Sequence, residues 1–406
     1  MKSICFVVPS FPTVTETFVT NHIIQSKIKG YQVSVLTKNK LSIEASSQQE
    51  LLTEHRILDN TFAVDFRIPR NKTKRRFQSL ILILKYLKFW IRIINVPIRE
   101  RFSILPFQLH YYNQFREMPV FHIQFGLAGF DIALMKSIGL LSGHIITTFH
   151  GYDAHFKGPE ALDLMRRKYK QLMEESCYMT VNTPYLANKV KLLGGDFKKI
   201  RIIPMGIDLG LFQQDEERTL LKNTSVKLIS IGRLIELKGF EYAIRSVKVL
   251  VDKGYNVKYT IVGEGTDKDT LQQLVSKLGL GDFVFLVGAK SQIDIKELFE
   301  ENNIFLMSSI TDCVNRAEAQ GVVTVEAQAM GLPVVAFRSG GVPYTILENK
   351  TGFLIEEKNI ERYAAAIIKL MDNPILYKTM SASAKSFAIN NFNRETLSSE
   401  FFELYI

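Results

Sequence analysis

Cysteine is scarce in this chain. Its 406 residues include three, Cys5, Cys177 and Cys313. They are far apart, odd in number and form no C-x-x-C pair. That argues against a disulfide framework or a zinc knuckle and fits a reducing cytoplasm. Long apolar runs are missing too. No stretch reaches about 18 uninterrupted apolar residues, so no transmembrane helix is expected. The run Ile4–Val8 is too short for the core of a signal peptide, and no small-residue cleavage site follows it. It reads as a buried first strand ending at Pro9. Low-complexity tracts are absent. Hydrophobic residues at 46% and charged residues at 23% are ordinary globular composition, which excludes a disordered or collagen-like chain. The length suggests two to three domains.

Acidic residues do not balance basic ones. The formal charge is +10, made of +14 over residues 1–204 and −4 over residues 205–406. The two halves are therefore expected to face different partners. Residues 67–101 hold eleven basic residues against one acid, Glu100. The stretch opens Arg67-x-x-Arg70-x-Lys72-x-Lys74-Arg75-Arg76 and runs into Leu80–Val96. There Lys85, Lys88 and Arg92 share one helical face, opposite Ile83, Leu87, Trp90 and Ile94. A basic amphipathic helix carrying the only tryptophan predicts docking on an anionic membrane surface through Arg75, Arg76, Lys85, Lys88, Trp90 and Arg92. The plainer alternative is a surface helix with a solvated basic face. No nucleic-acid recognition motif accompanies the charge, so no nucleic acid partner is expected.

Short apolar runs alternate with amphipathic segments throughout. Ile4–Val8, Gln32–Leu36, Val120–Gln124, Ile145–Thr148, Tyr178–Val181 and Ile200–Ile203 read as strands in the first half. Val226–Ile231, Lys258–Val262, Phe283–Val287, Ile304–Met307 and Pro333–Ala336 do so in the second. Thr13-x-x-Glu16 has the pattern of a capping box opening a helix that stops at Gly30. Strand–helix alternation implies parallel sheets flanked by helices. It occurs twice, with a break near Pro204-Met205-Gly206 and a polar linker over Gln213–Ser225. This α/β pattern predicts two doubly wound domains with a cleft between them, and ligands at the carboxyl ends of the strands.

The densest chemical signal is residues 304–345. A strand, Ile304–Met307, leads through a polar loop to Glu318-Ala319-Gln320-Gly321-Val322-Val323. A helix starts near Gly321, holds Glu326 and stops at Gly331. The helix N-terminus offers free amides and a positive dipole end, suited to phosphate or sugar oxygens. Two carboxylates flanking such a place can hold polyol hydroxyls. By spacing alone, Glu318 and Glu326 are also consistent with two solvated helix glutamates.

In its frame, this segment resembles the retaining, nucleotide-sugar-dependent transferases of glycosyltransferase family 4. Their signature is a Glu, seven residues and a second Glu, here Glu318 and Glu326. Ile231-Gly232-Arg233-Leu234-x-x-Leu237-Lys238-Gly239 looks like the family's G-R-x-x-x-x-K-G loop. Ile261-Val262-Gly263-Glu264-Gly265 resembles its G-x-G turn, and Ile203-Pro204-Met205-Gly206-Ile207-Asp208 its P-N-G-I-D linker, with Met205 where Asn is usual. Phe149-His150-Gly151-Tyr152-Asp153 resembles its H-G-x-D motif. Where many members carry paired glycines, this chain has Ser10-Phe11-Pro12-Thr13-Val14-Thr15-Glu16-Thr17. That segment and His122-Ile123-Gln124-Phe125-Gly126 look like the exopolysaccharide and capsule subgroup.

The resemblance implies a GT-B fold: two Rossmann-like domains over 1–205 and 206–385 facing a central cleft, and a C-terminal helix over 386–406 returning to the first domain. It implies that Arg233 and Lys238 stabilise the leaving diphosphate. Glu318 would bind sugar hydroxyls near the transferred centre, Glu326 the nucleotide ribose, and Gly263 and the Gln320, Gly321, Val322 and Val323 backbone the donor. His150 would face the reacting centre. Thr15, Glu16, His122 and Asp153 would line the acceptor side. The expected donor is a UDP-sugar, with a GDP-sugar as the alternative, and the expected acceptor a lipid-linked glycan at the inner face of the cell membrane. No metal or other cofactor is expected. Asp267-x-Asp269 superficially matches a metal-binding pair but follows a glycine turn, where acids favour a helix start. Gly263-x-Gly265-x-x-Lys268 lacks the third glycine of a dinucleotide fingerprint. A sugar-nucleotide epimerase of the same fold and a non-catalytic membrane-binding relative remain the competing functions.

Overall fold

The computed structural model describes residues 2–13, 16–93, 96–214, 216–220 and 225–405. The first domain is built on seven strands: β1 (Ser3–Phe11), β2 (Gln32–Lys40), β3 (Thr61–Ala63), β4 (Val120–Gln124), β5 (His144–Phe149), β6 (Ser176–Val181) and β7 (Ile200–Ile202). The second has six: β8 (Val226–Ile231), β9 (Val257–Val262), β10 (Val284–Leu286), β11 (Ile304–Met307), β12 (Val334–Phe337) and β13 (Gly352–Ile355). All pairings within the two sheets are parallel, in the orders β3-β2-β1-β4-β5-β6-β7 and β10-β9-β8-β11-β12-β13. Each sheet is covered on both faces, which is why its strands read as unbroken apolar runs. Along β1, Cys5 and Val7 join one core while Ile4, Phe6 and Val8 join the other, as a side-chain period of two requires.

Both orders reverse once, between β1 and β4 and between β8 and β11. At such a switch point the helices leave opposite faces of the sheet and open a crevice at the strand carboxyl ends. The connection between domains turns these two crevices toward each other. After β7 the chain crosses through Met205–Asp208 and is met there by the returning C-terminal segment. The Ile207 amide donates to the Phe392 carbonyl at 2.8 Å, and the Arg394 amide to the Ile207 carbonyl at 3.1 Å. Arg394 also pairs with Asp208 at 3.0 Å. The helix Pro374–Asn391 packs on Val322–Ala329 in the second domain, and Arg394–Glu403 packs on Thr17–Ile28 in the first. The return therefore happens at Phe392–Arg394, and the expected boundary at 385/386 falls inside the helix Pro374–Asn391.

Several expectations need correcting. The strands β3 and β13 have no counterpart among the expected ones. They have three and four residues. The capping box does not form: the helix Thr17–Ile28 starts after Glu16, with no side-chain cap. The expected polar linker is anchored by Arg218, which donates to the carbonyls of Met330, Asn302 and Phe299. The amphipathic helix over 80–96 breaks at Tyr86 into Lys72–Lys85 and Leu87–Trp90. The face turned inward is Ile83, Tyr86, Phe89 and Ile93. Trp90 packs against that core, its indole donating to the Arg101 carbonyl at 3.0 Å under the Arg101 guanidinium. Arg92 donates to the Ile138 carbonyl. Ile94 lies outside the described residues. Trp90 and Arg92 thus hold the domain together, whereas a second apolar row, Phe77, Leu80, Ile81, Leu84, Leu87 and Ile91, is exposed. No described helix is long and apolar enough to cross a membrane.

The crossing yields a test. A Cβ on Gly206 would lie 2.5 Å from the Arg394 Cα, a backbone atom that cannot swing aside. Gly206→Ala is expected to cost about 1–3 kcal/mol through overpacking. It should lower the thermal midpoint and speed proteolysis within Arg394–Glu403, both measurable on the purified variant.

Candidate active site

The two switch-point crevices merge into one cleft of about 620 Å³. On the second-domain wall, β8 ends at Ile231 and delivers Gly232 and Arg233, and the turn Glu236–Lys238 places Lys238. The loop after β11 carries Glu318, and the helix Val322–Ala329 points its N-terminus into the cleft and carries Glu326. Lys238 Nζ lies 2.5 Å from Glu318, each side chain under a fifth exposed. Of the described cations lining the cleft, Lys238, Arg316 and Arg394 are ion-paired. Among the described residues, Arg233 has no side-chain ion pair or hydrogen bond and is left for a ligand. Burial pushes the Glu326 carboxyl up to about 7.

Gln320 lines the cleft beside the helix start, and its side chain has a second task. Its side chain is buried and grips the interdomain connection, accepting from the Met205 amide at 2.8 Å and donating to its carbonyl at 2.9 Å. Gly263 does not line the cleft. At φ +146, a Cβ there would lie 1.9 Å from the Gly232 carbonyl oxygen. Its role is to let the second-domain turns pack closely beneath the Arg233 loop. Gly321, Val322 and Val323 do line the cleft, at the helix start.

The first-domain wall centres on His150. Its Nε2 donates to the Gln124 side-chain oxygen, Oε1, at 2.8 Å. Burial, with a contribution from His22, lowers its pKa to about 3, so the ring is neutral at neutral pH. The Gln124 amide nitrogen, Nε2, faces His22 and His122. His22 and His122 both meet the Tyr405 hydroxyl from the returning C-terminus. Burial lowers both of these rings as well. His122 is therefore a fully buried core residue beneath the cleft, not part of its lining, because it sits inside β4, where neighbouring strands and Tyr405 enclose it. Asp153 is also buried. It accepts from the Gly126, His150 and Gly151 amides at 2.8–3.0 Å, and burial pushes it up to about 6 despite those donors. It shapes the His150 turn from below. Glu16 stands at the start of the Thr17–Ile28 helix, beside the cleft rather than in its lining, and burial raises its carboxyl. Thr15 lies outside the described residues.

Cleft residues that sequence reasoning missed include Gln124 and Asn182. Gln124 ends β4, and a polar residue closing an apolar strand was a usable signal. Asn182 and Thr183 follow β6, and Thr183 reaches across to donate to the Ala319 carbonyl at 2.8 Å. No local pattern marked them. Asp267 and Asp269 lie at the start of the helix Lys268–Lys277. Among the described residues, no group of three or more His, Cys, Asp or Glu side chains is arranged to hold a metal ion.

Known proteins resemble this chain across both domains. Residues 212–387 match the family described as glycosyl transferases group 1. The amylovoran biosynthesis glycosyltransferase AmsK of Erwinia amylovora is 27% identical over 400 residues, covering 96% of this chain and 95% of that protein. The GDP-mannose-dependent alpha-(1-6)-phosphatidylinositol monomannoside mannosyltransferase of Mycolicibacterium smegmatis is 26% identical over 292 residues, 70% of this chain and 75% of that one. The fold matches that of HepE from Anabaena, solved with UDP, with a TM-score of 0.75 at 17% identity over 100% of this chain and 99% of that one. This is the GT-B arrangement.

Glu326 sets a pH test. A diol donates hydrogen bonds to an ionised carboxylate, and the free carboxyl titrates near pH 7. Affinity for UDP-glucose, whose diphosphate does not titrate in this range, should be full above pH 7. It should fall toward about tenfold per unit below it. Calorimetry from pH 5.5 to 8.5 reads this, and Glu326→Gln should flatten the profile.

Proposed function

We propose that this chain, whose residues 212–387 match the group 1 glycosyl transferases, is a retaining enzyme of that family. It moves a sugar from a UDP-sugar to a lipid-linked saccharide in cell-surface polysaccharide synthesis. The observation that carries the reading is the placement of the unpaired Arg233 beside the Lys238–Glu318 pair, across the cleft from His150. Arg233 and Lys238 take the diphosphate, where negative charge grows as the anomeric bond breaks, and the helix start at Val322 adds amide donors. Glu318 receives the donor sugar's hydroxyls and Glu326 the ribose.

Retention follows from same-face attack. The acceptor hydroxyl oxygen forms the new bond to the anomeric carbon as the bond to the diphosphate breaks, and its proton passes to a leaving phosphate oxygen. The cleft favours this route because the carboxylates lining it are otherwise engaged: Glu318 is paired with Lys238, Asp208 with Arg394, and Glu326 is assigned to the ribose. The neutral His150 positions the reacting groups. No metal step is needed, since Arg233 and Lys238 supply the charge. AmsK's role in amylovoran synthesis supports a polysaccharide context. Glu318→Ala and Lys238→Ala should each cut transfer about 10²–10³-fold. Full rates in both variants would overturn the assignment, and a thermal-shift panel of UDP, GDP and their sugars fixes the donor.

The protein also works at the inner face of the cell membrane. The docking surface is the exposed row from Phe77 to Ile91 with Ile98 and Phe102, rimmed by Arg75, Arg76, Lys85 and Lys88. Apolar side chains enter the lipid boundary while the cations meet anionic headgroups. Sedimentation with phosphatidylglycerol vesicles should weaken with salt and with Ser at the four cations. It should fall further when Leu80, Leu84 and Ile91 become Ser. Binding unchanged by both sets would sink this surface.

A further inference from the structure

The donor occupies the second-domain wall in the function proposed above, so the opposite wall is left for the acceptor, and its chemistry is distinctive. Lys and Arg are absent from the described first-domain residues that line the cleft. The histidines there are neutral at neutral pH. Of the cations around it, Arg316 and Arg394 are held by Asp312 and Asp208, and Lys189, which acts on His155, lies outside the lining over the Phe156 and Tyr185 rings. A phosphate or diphosphate on this wall would have no charge partner.

What the wall does offer is aromatic. Phe18 and Phe125 pack on His150 at 4.6 Å and 4.5 Å between ring centroids, and Phe125 packs on Tyr152 at 5.1 Å. Phe125 holds this row together from a left-handed backbone, φ +72, a strained conformation for a residue with a side chain. Tyr152 ends the row at the cleft, 55% exposed. Asn182, also in the lining, is 4% exposed, and its Nδ2 is buried without a hydrogen-bond partner among the described residues. The chain neighbours of both residues converge on Ala319, next to Glu318. A Cβ on Gly151 would lie 2.9 Å from the Ala319 Cβ, and Thr183, the residue after Asn182, donates to the Ala319 carbonyl.

We propose that Tyr152 and Asn182 form the acceptor subsite, and that its ligand is a neutral pyranose. The ring's apolar face lies on Tyr152 and one of its oxygens accepts from Asn182 Nδ2. An exposed aromatic face matches the C–H face of a sugar, and a buried unpaired amide donor is satisfied by a sugar oxygen. The enzyme therefore extends an existing saccharide, and a reaction that places the first sugar on the lipid phosphate must precede it. The lipid phosphate lies outside the cleft, on the basic side of the first domain.

The experiment uses the full chain with octyl hexopyranosides below their micelle concentration and with farnesyl phosphate, each titrated in the presence of UDP. A neutral pyranoside should bind, and farnesyl phosphate should not displace it. Tyr152→Ala should weaken pyranoside binding about tenfold, Tyr152→Trp should restore most of it, and Asn182→Ala should weaken it by a smaller factor. UDP-glucose affinity should be unchanged in all three variants, which reports that the donor wall and the fold survive. The subsite is refuted by pyranoside binding insensitive to Tyr152→Ala, or by farnesyl phosphate displacing the pyranoside. Loss of UDP-glucose binding by the unaltered protein would instead refute the transferase function on which the subsite rests.

Discussion

The crossing of two chain segments at Ile207 and Phe392–Arg394 governs the rest of the molecule. Two backbone hydrogen bonds and one ion pair join the outgoing connection to the returning C-terminus. Parallel sheets open their crevices only at the carboxyl ends of the strands, so two such sheets make a shared site only if those ends face each other. The crossing imposes that orientation. Gly206 permits it by letting the backbones touch, and Gln320 reinforces it by holding both main-chain groups of Met205. The last residues then pack on the first domain, where Tyr405 closes over His22 and His122.

The cleft separates two kinds of chemistry. The second domain is net negative, yet its cleft wall holds Arg233 and Lys238. Net charge does not decide anion binding when a few cations are held where the ligand's charge falls. The Lys238–Glu318 pair keeps both groups in place before any ligand arrives. The opposite wall carries neutral histidines, amides and aromatic rings. Its buried His–Tyr–Gln chain is satisfied internally, apart from the Asn182 amide, and that leaves the surface without charge.

The basic excess of the first domain is local rather than global. Residues 67–101 carry it on helices that cover one face of the sheet, away from the uncharged wall of the cleft. The same segment has apolar residues on more than one side. One row enters the core and the other reaches solvent beside the cations, a combination suited to an interface between water and lipid.

Much of the architecture is legible in the sequence because it follows from local pattern. The bounds of β4, β8 and β11 coincide with the apolar runs, and glycines mark helix ends at Gly30 and Gly331. The Glu318 and Glu326 spacing points to the second-domain wall of the cleft only when taken with the Arg233–Lys238 loop and the family resemblance. Other features depend on what packs against what. His122 and Gln124 lie two residues apart on one strand, and only the burial of that strand under Tyr405 shows that one is core while the other reaches the cleft. The periodicity over 72–93 shows that the helices are amphipathic, but not that Ile83 and Phe89 turn inward while Leu84 and Ile91 stay out. Gly263 and Trp90 look functional by motif or rarity, and each serves packing. Sequence alone determined the elements, because they follow from short-range periodicity, and it suggested the donor chemistry through motifs that resemble a known family. The uncharged wall opposite and the exposed apolar face were decided by tertiary structure, because they arise from residues distant in sequence meeting, or failing to meet, a partner.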